Sequence, residues 1–332
     1  MRSAALLAIM LLIACAPVQA ADRIAEIKKR GHLTCGIVAR VRGFTDVAPD
    51  GRTSGFEPDL CRAVAAAVLG PDAKVTYETA DHMDRFRATG TPDVVARRLT
   101  VTLRRELEPG LAFSPVIFFD GTSLLVRKAG GITSPASLSG RKICVRAQSE
   151  ADAGLDAYFA AHAFKYEGIR RADLAAANDA FLRGDCDALA ADLSELAPIR
   201  ADSADKVAIL PEILSKEPLA LLTHAEDTQF TAVVRWTMNA LLAAEELNIT
   251  AARAKMPGTV TDPETRRLLG LDAGNGAALG LRETWAADAI ATVGNYGEIF
   301  ARNLGDASAV KLPRGPNALW RDGGLLYALP LR

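Results

Sequence analysis

The chain has 332 residues, and its 39 Lys and Arg nearly balance its 40 Asp and Glu, for a formal net charge of −1 at pH 7. That balance, without a basic block anywhere, removes nucleic acid from the expected partners. Roughly 310 residues beyond an N-terminal leader exceed what one core usually organises, so two domains are expected.

The leader comes first. Arg2 and the amino terminus are followed by a continuous apolar run, Ala4 to Ala14. At about 11 residues it is too short to span a bilayer as a helix. Val18-Gln19-Ala20 supplies small residues at both positions that a signal peptidase reads, which predicts cleavage before Ala21. Leu12-Ile13-Ala14-Cys15 also has the shape of a lipoprotein cleavage box, and that route would leave Cys15 lipidated. Either route predicts a periplasmic protein, with at most a lipid anchor. Cys35, Cys61, Cys144 and Cys186 are then free to form disulfides, and four cysteines allow three pairings.

Strand-like and helix-like stretches alternate from residue 33 to about 224, which predicts an α/β fold. Leu33 to Val38 reads as a strand, and Gly55 to Leu69 as a strand end plus an Ala-rich helix stopped by Gly70-Pro71. Val75 to Glu78 is a second strand, Asp84 to Ala88 a brief helical piece, and Asp93 to Ala96 a strand running into a polar turn at Thr100. Val116 to Arg127 is β-rich. A second unit then begins, with a short helix and turn at Pro135 to Gly140 and a strand at Lys142 to Val145. Helices follow at Ala153 to Ala163 and Asp173 to Leu182, and the strand Ala188 to Ala191 delivers Asp192 to its carboxyl end. Open α/β sheets bind ligands outside the carboxyl ends of strands, so Thr100, Ser149 and Asp192 are candidate site positions. Beyond Ala220, Gln229 to Leu247, Thr261 to Gly270 and Thr284 to Leu304 read as helices. The tail Pro313 to Arg332 is expected to be a strap packed on the body, covering Trp320, Leu325, Leu326 and Tyr327.

Catalytic machinery is sparse. His32, His82, His162 and His224 form no HExxH, and no nucleophile elbow, Walker loop or dinucleotide fingerprint follows the first strand. Neither a metal nor a cofactor is expected. What remains suits gripping a zwitterion, because an Arg fork matches a carboxylate and a fixed acid matches an ammonium. Thr100-Val101-Thr102-Leu103-Arg104-Arg105 and Asp187-Ala188-Leu189-Ala190-Ala191-Asp192 are the segments offering these groups.

The chain resembles the general L-amino-acid-binding periplasmic proteins of ABC importers, within the wider polar-amino-acid solute-binding family. The resemblance is carried by Gly31-His32-Leu33-Thr34-Cys35-Gly36, Gly55-Phe56-Glu57-Pro58-Asp59-Leu60-Cys61 and Gly184-Asp185-Cys186-Asp187-Ala188. It continues through Leu210-Pro211-Glu212-Ile213-Leu214-Ser215-Lys216-Glu217-Pro218-Leu219, Val293-Gly294-Asn295-Tyr296-Gly297-Glu298 and Asn317-Ala318-Leu319-Trp320. It implies a two-lobed, type II periplasmic-binding-protein fold with a hinge, a C-terminal helical extension and a strap. Residues 1–20 would be the signal peptide, 21–120 with 221–332 the first lobe, and 121–220 the second. It also implies Cys35–Cys61 and Cys144–Cys186 disulfides, a monomer, and a membrane permease as partner. Arg105, helped by Thr100 and Thr102, would hold the ligand carboxylate, Asp192 the amino group, and Phe44 would lie over the ligand.

Departures from the family pattern bear on the ligand. Relatives read close to S-R-N-T-T-W-T-x-x-R where this chain reads Ala96-Arg97-Arg98-Leu99-Thr100-Val101-Thr102-Leu103-Arg104-Arg105. Their T-G-T-T turn is Ala147-Gln148-Ser149-Glu150 here, which loses a glycine and adds an acid that Arg98 or Arg146 can offset. An Arg98 that lines the pocket would favour an acidic or carbonyl-rich ligand. The alternatives to an L-amino acid are another small polar or carboxylate solute, a sensory role without import, and an enzyme on this fold using Glu150 or Asp192.

Overall fold

The computed structural model describes residues 22–38, 41–80, 86 and 90–332. The leader, with both processing sites and Cys15, lies outside them, as do His82 and most of the helical piece expected at Asp84 to Ala88. Among the described residues no helix is long and apolar enough to cross a membrane.

Among the described residues the chain forms twelve strands: β1 (His32–Ile37), β2 (Asp46–Val47), β3 (Thr53–Ser54), β4 (Lys74–Thr79), β5 (Val94–Thr100), β6 (Leu111–Asp120), β7 (Thr122–Arg127), β8 (Lys142–Arg146), β9 (Glu167–Arg171), β10 (Ala188–Asp192), β11 (Val207–Ile209) and β12 (Glu217–His224). They form two five-stranded sheets, ordered β4-β1-β5-β12-β6 and β11-β7-β10-β8-β9, and the small hairpin β2-β3. This is the two-lobed, type II architecture. In the first sheet β1 runs parallel to β4 and β5, and the returning β12 is antiparallel to β5 and β6. In the second, β8 is parallel to β9 and β10, with β7 antiparallel beside β10. β1 is buried from Leu33 to Ile37 because it lies between its parallel neighbours β4 and β5, with the helices Arg23–Arg30 and Phe56–Leu69 packed against it.

The chain passes from the first sheet to the second between Asp120 and Thr122, and returns between Ile209 and Glu217. Gly121 sits where these two crossings touch. A Cβ there would lie 2.4 Å from both Ile213 Cγ2 and the Ser215 carbonyl oxygen, so only glycine lets the two segments run side by side.

The C-terminal helices Thr228–Glu246, Trp285–Val293 and Tyr296–Asn303 share one apolar core with the helix Phe56–Leu69 and the first sheet. The stretch expected as one helix from Thr284 to Leu304 is broken at Gly294, where Asn295 and Glu298 form a reciprocal capping box that starts the next helix. The strap ties down the outer strand of the first sheet. Asn317 Oδ1 accepts from Phe119 N (2.6 Å), and Asn317 Nδ2 donates to the Phe119 carbonyl (3.1 Å). This satisfies an edge that would otherwise present open backbone groups. Leu319 and Leu326 are buried, but Trp320, Leu325 and Tyr327 stay more than half exposed, contrary to the sequence expectation. Leucines at 319 and 326 supply the anchoring, and the Trp320 and Tyr327 rings pack edge-on to each other instead (6.0 Å).

Disulfides Cys35–Cys61 and Cys144–Cys186 sit in the first and second lobes, closing spans of 26 and 42 residues. Chain entropy assigns about 3–4 kcal/mol to each. Replacing Cys144 and Cys186 together by alanine is expected to lower Tm by roughly 10 °C, read by calorimetry against the parent.

Candidate functional site

Between the two sheets lies a cavity of about 280 Å³, near the lower end of the sizes typical of small-ligand pockets. Arg98, Thr100 and Arg105 line it from the first lobe, and Arg146, Asp192 and Glu195 from the second.

Arg105 stands on the short helix Leu103–Glu106, directly after β5. Thr102 caps that helix, its hydroxyl accepting from Arg105 N (3.3 Å), and does not line the cavity. The guanidinium is aimed by a hydrogen bond from Nη1 to the Thr100 carbonyl (3.0 Å). Its Nη2 reaches Glu150 Oε1 of the opposite lobe (3.1 Å), so a protein carboxylate already sits beside the cation. The Thr100 hydroxyl donates to Glu217 Oε2 (2.8 Å), both residues being buried.

Asp192 ends β10 and is the N-cap residue of the helix Leu193–Asp202. It accepts from Thr122 Oγ1 (3.2 Å). Burial pushes its carboxyl up to about 8, and the charges of Asp120, Glu195 and Glu217 push the same way against the Thr122 bond. Asp120 is driven up to about 6, again chiefly by burial, while hydrogen bonds from Ser194 and Gly121 oppose the rise. The two acids share one desolvated space that disfavours their charged forms, a cost that a bound cation would relieve.

Ser149 caps the helix Glu150–Ala161, accepting from Asp152 N (3.1 Å) and donating to the Arg146 carbonyl (2.8 Å). It lines a neighbouring cleft with Gln148 and Glu150 rather than the central cavity. Gln148 keeps a left-handed backbone (φ 57°) where the family pattern has glycine, so the turn survives that loss. Arg98 likewise takes φ 51°, at a place where relatives carry Asn, which adopts such angles more readily. Its backbone N–H and Nη1 both meet Glu57 (2.5 and 3.5 Å), which fixes the side chain at the cavity wall. Phe44 is 1% exposed, with its ring edge-on to Phe56 and Phe118, and stands behind Arg98 rather than in the cavity. The structure therefore brings Arg98, Thr100, Arg105 and Asp192 together and leaves Thr102, Ser149 and Phe44 outside.

Asp120, Ser194 and Glu195 also line the cavity and were not singled out from the sequence. A signal for Asp120 existed: it is a lone acid closing a β-rich stretch before a glycine, at the carboxyl end of a strand. Among the described residues no cluster of His, Cys, Asp and Glu is suited to a metal ion.

The lobes also meet away from the cavity through Leu193–Asp202. Arg200 Nη2 donates to the carbonyls of Val310 and Lys311 in the C-terminal extension (2.6 and 2.9 Å), and Asp202 pairs with Arg42.

Residues 33–255 match the profile of the bacterial extracellular solute-binding proteins, family 3. The chain belongs to that family. Its family is one of binding proteins rather than enzymes. Over 94% of its length it is 39% identical to the general L-amino acid-binding periplasmic protein AapJ of Rhizobium johnstonii, covering 93% of that protein. It is also 39% identical to the glutamate/glutamine/aspartate/asparagine-binding protein BztA of Rhodobacter capsulatus, over 94% of each chain. Among solved structures it superposes with a TM-score of 0.86 and 40% identity on an ABC transporter periplasmic binding protein from Brucella ovis with glutathione bound, covering 94% of this chain and 100% of that one. The cavity described above lies between the two lobes of this chain.

Proposed function

We propose that this family 3 protein captures an L-amino acid, or a zwitterion of similar size, and delivers it to the permease of an ABC importer. One observation carries the reading. Arg105 from the first lobe and Asp192 from the second line the same cavity, a cation and an acid on opposite walls. Each wall satisfies one end of a zwitterion, so the solute is fully paired only when the lobes close on it. The relatives AapJ and BztA, named for amino-acid binding, support this class of solute.

In this reading residues 21–120 and 221–332 make up the first lobe and 121–220 the second, hinged at Gly121 and at the segment from Leu210 to Lys216. The protein acts as a monomer in the periplasm, exported by the leader ending at Ala20, with lipidation of Cys15 as the alternative route. A second reading, a larger solute such as the glutathione of the Brucella ovis neighbour, is favoured by the several arginines at the cavity, which suit a second carboxylate.

A thermal-shift screen of the twenty amino acids and glutathione separates the two. At a hundredfold excess over Kd a ligand adds about 2.7 kcal/mol, an upward shift of roughly 5 °C or more. Silence from every amino acid would sink the first reading, and a response to glutathione alone would establish the second.

A further inference from the structure

Both backbone hydrogen bonds to Asp120 fall on one of its oxygens. Its Oδ1 accepts from Gly121 N (2.9 Å) and from Ser194 N (3.1 Å), which pins the side chain between the crossing segment and the first turn of Leu193–Asp202. Its Oδ2 is buried and has no hydrogen-bond partner among the described residues. The residue is 7% exposed and lines the same cavity as Asp192. Buried carboxylate oxygens in folded proteins normally have a donor or a cation, so an orphaned one at a binding cavity is a place for a ligand group.

We infer that Asp120 Oδ2 is a second seat for the cationic group of the solute, which is held between two carboxylates, Asp120 at the end of β6 and Asp192 at the end of β10. The inference rests on the zwitterion reading above and extends it to what the cleft selects. An ammonium brings a full charge and three donors, enough for Asp192, Asp120 Oδ2 and one further acceptor. A hydroxyl in its place brings one donor and no charge. Two carboxylates in one desolvated space therefore turn a mild preference for an amino group into a strong one. The arrangement also couples recognition to closure. Asp120 holds Ser194 N, Asp192 begins the same helix, and that helix carries Arg200 and Asp202 to their contacts with the first lobe.

The substitution Asp120→Asn separates this role from simple anchoring. The amide keeps an oxygen for Gly121 N and Ser194 N, and turns an NH2 donor towards the cavity. Titration calorimetry with two matched pairs, L-alanine against L-lactate and L-glutamate against L-2-hydroxyglutarate, reads the preference for nitrogen directly. Asp120→Asn is expected to weaken the amino acids by roughly ten- to a hundredfold. The hydroxy acids should change less than threefold, so that the preference largely disappears. Equal weakening of both members of each pair, or an unchanged preference, overturns the seat and leaves Asp120 as an anchor. Wild-type protein that binds no amino acid overturns the zwitterion reading and this inference together.

Discussion

Replacing Arg105 by alanine is expected to weaken amino-acid binding by on the order of a hundredfold or more, while leaving the fold intact. Truncating one member of a hydrogen-bonded charge pair costs about 2–5 kcal/mol, because the other charge is left without a partner. Arg105 is suited to that role because its Nη1 is already held by the Thr100 carbonyl, which lowers the entropy lost when a carboxylate docks. Its side chain lines the cavity rather than the apolar core, so little core packing is lost with it. Lysine at this position keeps the charge and loses the fork, and an intermediate loss of roughly tenfold is expected. Calorimetric Kd values for the three proteins check the order. Binding by the alanine variant within threefold of wild type would remove Arg105 from the site.

Asp192→Asn is expected to abolish the ligand-induced thermal shift and, without added solute, to raise stability in alkaline buffer. The two effects share one cause. Burial and the neighbouring acids hold the folded Asp192 protonated up to about pH 8, whereas an unfolded aspartate ionises near its ordinary value of 3.8. Between those values the folded state binds more protons than the unfolded state, so the contribution of this group to stability falls as pH rises. It is fully present below about pH 4 and lost by about pH 8. Asparagine removes that dependence, so the Tm difference between variant and parent should grow from pH 4 to pH 8 and level off above it. Solute binding should also release protons near pH 7, visible as a dependence of calorimetric heat on buffer ionisation enthalpy. A Tm difference that is flat with pH would mean that Asp192 is ionised in the empty cleft, and the strained seat would have no basis. Sites that hold a group at a cost to stability are expected where binding relieves the cost.

The alternation of strands and helices and the four cysteines were legible because each is a local pattern. The helix ends at Ser149 and Asp173 carry side-chain caps, and Gly184 closes its helix in a left-handed conformation. The carboxyl-end rule pointed to Thr100 and Asp192, and both line the cavity. It also pointed to Ser149, whose hydroxyl is engaged at a helix cap beside the cleft. Less local features escaped. The helix Leu193–Asp202 contains Pro198 and has little amphipathic signal, and it exists because both lobes pack on it. β12 was not expected because its partners, β5 and β6, lie about a hundred residues earlier and only the closed sheet selects its register.

The sequence by itself determined the class of fold and the residue types able to grip a zwitterion, since periodicity, capping and strand ends are written within short windows. Only the tertiary structure decided which hydroxyls are consumed internally, that Phe44 packs into the core, and that Asp120 brings an unsatisfied oxygen to the cavity beside Asp192. The reason is that burial and electrostatic coupling depend on which distant segments come together, and no window of sequence contains both sides of the cleft.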